Sequence, residues 1–151
     1  MAANTLPIFS KAADMAFNTS AITGAYNFAD LTNTANSHAI YTIYTATSTA
    51  SGGEGHFIRE VRLKVQPGTN TAATVARLWL GNGGSLTTAA NAALLSEISL
   101  PATTTSAVAA LPDFSIPVNM AIPPDHKLYL TLGTTTGAGA YLSTCVIAGK
   151  F

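Results

Sequence analysis

The sequence predicts an all-β fold, an antiparallel two-sheet β-sandwich of jelly-roll type with an extended N-terminal arm. Three observations carry that expectation. Apolar residues recur with a period of two along several runs, about eight strands follow from Ile22 on at intervals of about 10 to 15 residues with turn residues between them, and no convincing amphipathic helix separates the runs. Parallel strands need crossovers of a dozen residues or more, usually helical, so the strands are expected to pair antiparallel. A chain of 151 residues is one domain by length and can bury a sizeable core. We divide it into an arm over residues 1–30 and a β-sandwich over residues 31–151.

The arm opens with the apolar segment Leu6-Pro7-Ile8-Phe9, which needs cover from its own subunit or from a neighbour. Residues 10–17 fit either a short helical turn capped by Ser10 or an extended segment. Residues 22–30 read as a weak strand with Ile22 and Tyr26 inward. Residues 37–46 read as a stronger one, because Tyr41, Thr42, Ile43, Tyr44 and Thr45 all favour the pleated backbone. After Ser51-Gly52-Gly53-Glu54-Gly55 comes a strand whose Phe57, Val61, Leu63 and Val65 alternate with Ile58, Glu60, Arg62 and Lys64. Arg59 breaks the apolar face of that run.

Pro67-Gly68 suits the centre of a turn. In the next run Ala76, Leu78 and Leu80 share one face, opposite Val75, Arg77 and Trp79. A tryptophan opposite a leucine face means that both faces are covered or that Trp79 is offered to a partner. Gly81-Asn82-Gly83-Gly84 ends the run. The alanine-rich residues 88–95 fit a short helix, residues 96–100 a strand, and residues 101–110 a loop. The cleanest pattern follows: Phe114, Ile116, Val118 and Met120 alternate with Asp113, Ser115, Pro117 and Asn119. Two prolines in Ile122-Pro123-Pro124-Asp125-His126 force a turn. Leu128, Leu130 and Leu132 then alternate with Lys127, Tyr129 and Thr131, and a last strand over residues 141–148 follows a glycine-punctuated loop.

Charged residues make up only 9% of the chain and balance to a formal net charge of zero, which gives no electrostatic footprint for nucleic acid or an anionic membrane. Such a surface meets a protein partner with little charge to desolvate. No run is long and apolar enough for a transmembrane helix, and residues 1–5 lack the basic start of a signal peptide. One cysteine, Cys145, excludes an internal disulfide framework.

Candidate chemistry is sparse. His38, His56 and His126 stand at no zinc-ligand spacing; His38 reads as a strand residue, and the other two as loop-edge residues. Cys145 lies mid-strand, where it reads as a small buried residue and not an activated thiol. No serine sits in a G-x-S-x-G elbow, and no Lys-Ser or Lys-Thr follows the glycines at 81–84. Asp113 and Asp125 are two carboxylates where calcium takes six to eight oxygens. The expectation is a protein that is not an enzyme, with no cofactor and no metal. A carbohydrate-binding β-sandwich using Trp79, Tyr41 and Tyr129 is a reading from a different class.

The order of segments carries a resemblance. Phe57-Ile58-Arg59-Glu60-Val61-Arg62-Leu63-Lys64-Val65 precedes Ala76-Arg77-Leu78-Trp79-Leu80 with its glycine turn. Leu94-Leu95-Ser96-Glu97-Ile98, Pro101-Ala102-Thr103-Thr104-Thr105, Phe114-Ser115-Ile116-Pro117-Val118-Asn119 and Ile122-Pro123-Pro124-Asp125-His126-Lys127-Leu128 come next, and the chain closes on Gly149-Lys150-Phe151. Over residues 55–151 this resembles the small virion proteins of tailed bacteriophages, most of all those that decorate or cement the capsid. The resemblance implies a jelly-roll subunit, commonly a homotrimer, made in the host cytoplasm and carried on the capsid surface, where it reinforces contacts between major capsid proteins. A tail, baseplate or fibre component is the alternative in the same setting. The residues expected at interfaces are Ile8, Phe9, Arg77, Trp79, Tyr129 and Phe151.

Overall fold

The computed structural model describes residues 12–22, 40–66, 70–84, 89–137 and 141–151. Eight strands lie among them: β1 (Ala12–Ile22), β2 (Tyr41–Thr45), β3 (His56–Val65), β4 (Thr74–Gly81), β5 (Ala92–Leu100), β6 (Asp113–Ile122), β7 (Lys127–Leu132) and β8 (Leu142–Lys150). They form two four-stranded antiparallel sheets, with orders β1-β8-β3-β6 and β2-β7-β4-β5. The all-β sandwich expected from the alternation is what the chain forms. Strand β1 pairs with β8, β2 with β7, β3 with β6 and β4 with β5, as in one long double ribbon folded over on itself. We read that order as the jelly-roll winding of two Greek keys.

The core lies between the sheets. Ile58, Val61, Leu63, Ile116, Ile122, Leu142 and Val146 from the first sheet meet Ile43, Ala76, Leu78, Leu100, Leu128, Leu130 and Leu132 from the second. Each fully buried aliphatic side chain contributes about 1.5–3 kcal/mol over its exposed state. The alternation in β6 and β7 is as the sequence predicts, with Phe114, Val118 and Met120 packed against this core. All of residues 128–132 in β7 are buried, so that strand is covered on both faces.

Several expectations need correction. In β3 the alternation assigned Phe57 to the core and Ile58 to the outside; Ile58 is buried and Phe57 exposed. The cause is a β-bulge. Between Ile58 and Glu60, β3 holds one more residue than β8, so Arg59 is an insertion and the side-chain phase reverses across it. At the same level β6 holds one more residue than β3, and there Asn119 adopts φ 47°, a left-handed conformation that asparagine tolerates.

Residues 89–95 form no α-helix: a single 3₁₀ turn, Ala89–Asn91, leads straight into β5, and residue 88 lies outside the described residues. Of the expected arm, residues 12–22 form β1, an edge strand of the first sheet. Residues 1–11, which include Ile8 and Phe9, and residues 23–39, which include His38 and most of the weak 22–30 strand, lie outside the described residues. No helix among the described residues is long and apolar enough to cross a membrane.

Candidate functional site

Two places on the first sheet bring chemistry-bearing side chains together. The first is its outer face. Antiparallel partners project to the same side of a sheet, so the pairs Met15 with Ile147 and Phe17 with Cys145 put four apolar or sulfur-bearing side chains in one patch. Met15 is 58% exposed and Phe17 67% exposed, unusually high for large apolar residues in the middle of a strand. Next to them, β3 presents Arg62 and Lys64. Arg62 pairs with Asp113 of β6, and Ser115 donates to Glu60 at 2.6 Å. A groove of about 460 Å³ runs between the two halves, lined by Met15, Phe17, Arg62, Lys64, Asp113 and Cys145 among others.

Cys145 was expected to be buried in the strand. It is half-buried and faces this groove, with its sulfur 3.8 Å from the Met15 sulfur. Simple alternation would have placed it outside, because Val146 on its chain neighbour's side is fully buried.

The second place is a buried polar chain at one end of the sandwich. In β2 an extra residue relative to β7, at Ile43, turns both Ile43 and Tyr44 inward. The Tyr44 hydroxyl donates to Asp14 Oδ2 of β1 at 2.7 Å and contacts His56 Nδ1 at the start of β3. The far nitrogen, His56 Nε2, accepts from the Thr47 backbone N–H at 3.1 Å and lies 3.0 Å from the Thr47 hydroxyl. Lys150 Nζ stands 3.7 Å from Asp14 Oδ2. His56 is only 2% exposed, so it is a core histidine and not the loop-edge residue that its neighbour Gly55 suggested. Burial, the hydrogen bond to Asp14 and the Asp14 charge all push the Tyr44 phenol far above its ordinary range. Burial pulls His56 below its ordinary value; Asp14 partly offsets that and Lys150 adds to it.

The residues singled out from sequence are dispersed. Trp79 and Tyr129 are cross-strand partners on the face of the second sheet away from the core, yet each is only 6% exposed. Trp79 Nε1 donates to Thr131 Oγ1 at 3.0 Å. Arg77 pairs with Glu97 across the β4–β5 ladder. Phe151, half-buried, donates its backbone N–H to Gly55 at 3.2 Å at the end that holds His56.

Asp113 is the first residue of the ten-residue β6 and Asp125 lies past its other end, so the two do not converge. Asp125 instead accepts from the Thr49 hydroxyl at 2.8 Å and the Thr49 N–H at 3.2 Å, and these bonds hold its carboxyl below the usual range. His126 sits in the Pro123 turn with Nδ1 3.0 Å from the Pro124 carbonyl. Among the described residues no three His, Cys, Asp or Glu side chains gather as a metal site would require.

No protein family, curated protein or solved structure matches the chain. The site is therefore read from its own geometry. The outer face of β1-β8-β3-β6 suits contact with another macromolecule, while the buried chain suits holding β1 in place. The sequence left residues 10–17 open between a helical turn and an extended segment; from Ala12 on they are extended, with Met15 and Phe17 outside and Asp14 turned toward Tyr44.

Proposed function

We propose that the protein is a structural component of a virion, a decoration or cement protein that binds the outside of a tailed-bacteriophage capsid and stabilises contacts between major capsid proteins. The observation that carries this reading is the exposed strip of Met15 and Phe17 beside the groove on the outer face of the first sheet. An apolar strip bordered by polar and charged side chains is the composition of a protein–protein contact, with a dry centre and a wet rim. The low charge and zero net charge of the chain suit dense packing on a shell. The order of segments along residues 55–151, which resembles that of capsid-decorating proteins, supports the same setting, and with it a homotrimer.

The carbohydrate-binding alternative would use Trp79, Tyr41 and Tyr129 as a stacking platform. Trp79 and Tyr129 are already covered within the chain, which leaves little ring face for a sugar.

The test is direct. Purified protein mixed with expanded, undecorated heads should bind at fixed stoichiometry and raise the melting temperature of the shell, since a ligand of the assembled state stabilises it. Failure to bind expanded heads refutes the reading. Density for the protein on a tail or baseplate would move it to that part of the particle.

A further inference from the structure

Three loops share one end of the sandwich: residues 66–73 between β3 and β4, residues 101–112 between β5 and β6, and residues 133–141 between β7 and β8. Hydrogen bonds stitch them to one another. Thr71 and Thr103 exchange backbone bonds at 2.9 and 3.0 Å, the Ala72 N–H donates to the Thr136 carbonyl at 2.8 Å, and the Gln66 N–H donates to the Tyr141 carbonyl at 2.9 Å. The Thr134 N–H donates to the Thr74 hydroxyl at 3.0 Å, and that hydroxyl donates to the Thr134 carbonyl at 2.9 Å.

From this platform the 101–112 loop projects an apolar tip. Val108 is 97% exposed, the most exposed large apolar side chain among the described residues, and Ala107, Ala109 and Ala110 around it are exposed as well. Side chains hold the tip in shape. Ser106 Oγ accepts from the N–H groups of Val108 and Ala109, both at 3.1 Å, and Asn70 Oδ1 accepts from the Thr105 N–H at 3.0 Å. On the other flank Leu111 packs against the core. With those donors already paired, covering the tip leaves none of them stranded, and a loop fixed beforehand loses little freedom on binding.

Composition indicates what covers it. None of the seven acidic residues, seven basic residues or three histidines of the chain falls in residues 66–73, 101–112 or 133–141. A foreign partner is selected by opposite charges across the contact, and these loops offer none. Copies of one chain meeting about a rotation axis bring the same residues close together, so a charge near the axis faces its like. An apolar tip among charge-free loops meets its own copies without that repulsion.

We propose that the Val108 end of the sandwich is a self-association surface, where the three loops of each copy of this chain converge on a common axis and cover one another's apolar tips. The inference deepens the homotrimer of the proposed function by naming its contact surface, and it rests on that reading for the number of copies alone. Met15 and Phe17 lie on the outer wall of the first sheet, away from these loops, and stay available to a different partner.

Sedimentation equilibrium of the full chain over a concentration series reads the association. The wild type should be an oligomer, and Val108→Glu should raise its dissociation midpoint at least about tenfold, because like charges then face each other at the axis. Added salt should restore part of the loss by screening, which it would not do for a misfolded variant. Val108→Lys should dissociate the oligomer in the same way, and an equimolar mixture of the Glu and Lys variants should associate more tightly than either alone. A wild type that is monomeric throughout, a Val108→Glu variant that associates as the wild type does, or a mixture no tighter than its components overturns the proposal. Binding of a monomeric wild type to expanded heads would separate that failure from a failure of the capsid reading.

Discussion

Replacing Phe17 by alanine separates docking from folding. The ring is 67% exposed in the subunit. A phenylalanine side chain offers about 200 Å², so about 130 Å² is left for a partner to cover, worth about 3 kcal/mol at 25 cal/mol per Å². Alanine keeps a fraction of that contact, so binding to expanded heads should weaken by about 2–3 kcal/mol, or about 30- to 150-fold. The subunit should lose no more than about 1 kcal/mol, because only a third of the side chain is buried within it. Co-sedimentation of labelled protein with heads across a concentration series reads the first quantity, and a urea melt of the free protein reads the second. Wild-type affinity for heads in Phe17→Ala would refute the argument that this face makes the contact. A large drop in subunit stability would show that Phe17 belongs to the fold and not to a partner.

Three further substitutions probe packing. Thr144 is buried with its hydroxyl unpaired among the described residues, so the near-isosteric Thr144→Val should stabilise the protein by about 1 kcal/mol, visible as a raised denaturation midpoint. Trp79→Phe keeps a ring but loses the Nε1–H bond to Thr131; it should cost about 1 kcal/mol, and combining it with Thr131→Val in a double-mutant cycle isolates the bond itself. A methyl group on Gly81 would lie 2.5 Å from Tyr129 Cε2, so Gly81→Ala should destabilise by about 1–3 kcal/mol, with the near-ultraviolet signal of Tyr129 disturbed.

What could be read from the sequence depended on whether a strand keeps one phase along its length. β6 and β7 hold strong alternation against a single core, and their apolar positions were legible. β3 does not: Arg59 is inserted and shifts the phase, and its trace in the sequence is a charged residue on the apolar face of the run. β1 left two readings open, because exposure alternates along residues 13–17 while the residues themselves, Ala-Asp-Met-Ala-Phe, do not alternate apolar with polar. His56 could not be recognised as part of a hydrogen-bonded chain, because Asp14, the pair Tyr44 and Thr47, and His56 itself come from three separate segments and their meeting depends on sheet order. The dense cover over Trp79 was one of two outcomes that the leucine face opposite it allowed.

Between matched rungs at one level, β8 takes a single step, β3 takes two and β6 takes three. The β6 edge therefore carries two more residues than β8 over that interval, while β1, the other edge, keeps step with β8. Extra residues along one edge bend and twist the wall on that side, so part of its shape is written as a count of residues. Variants could exchange nearly every outward side chain on the wall, and with them the identity of whatever it touches, while leaving its shape alone.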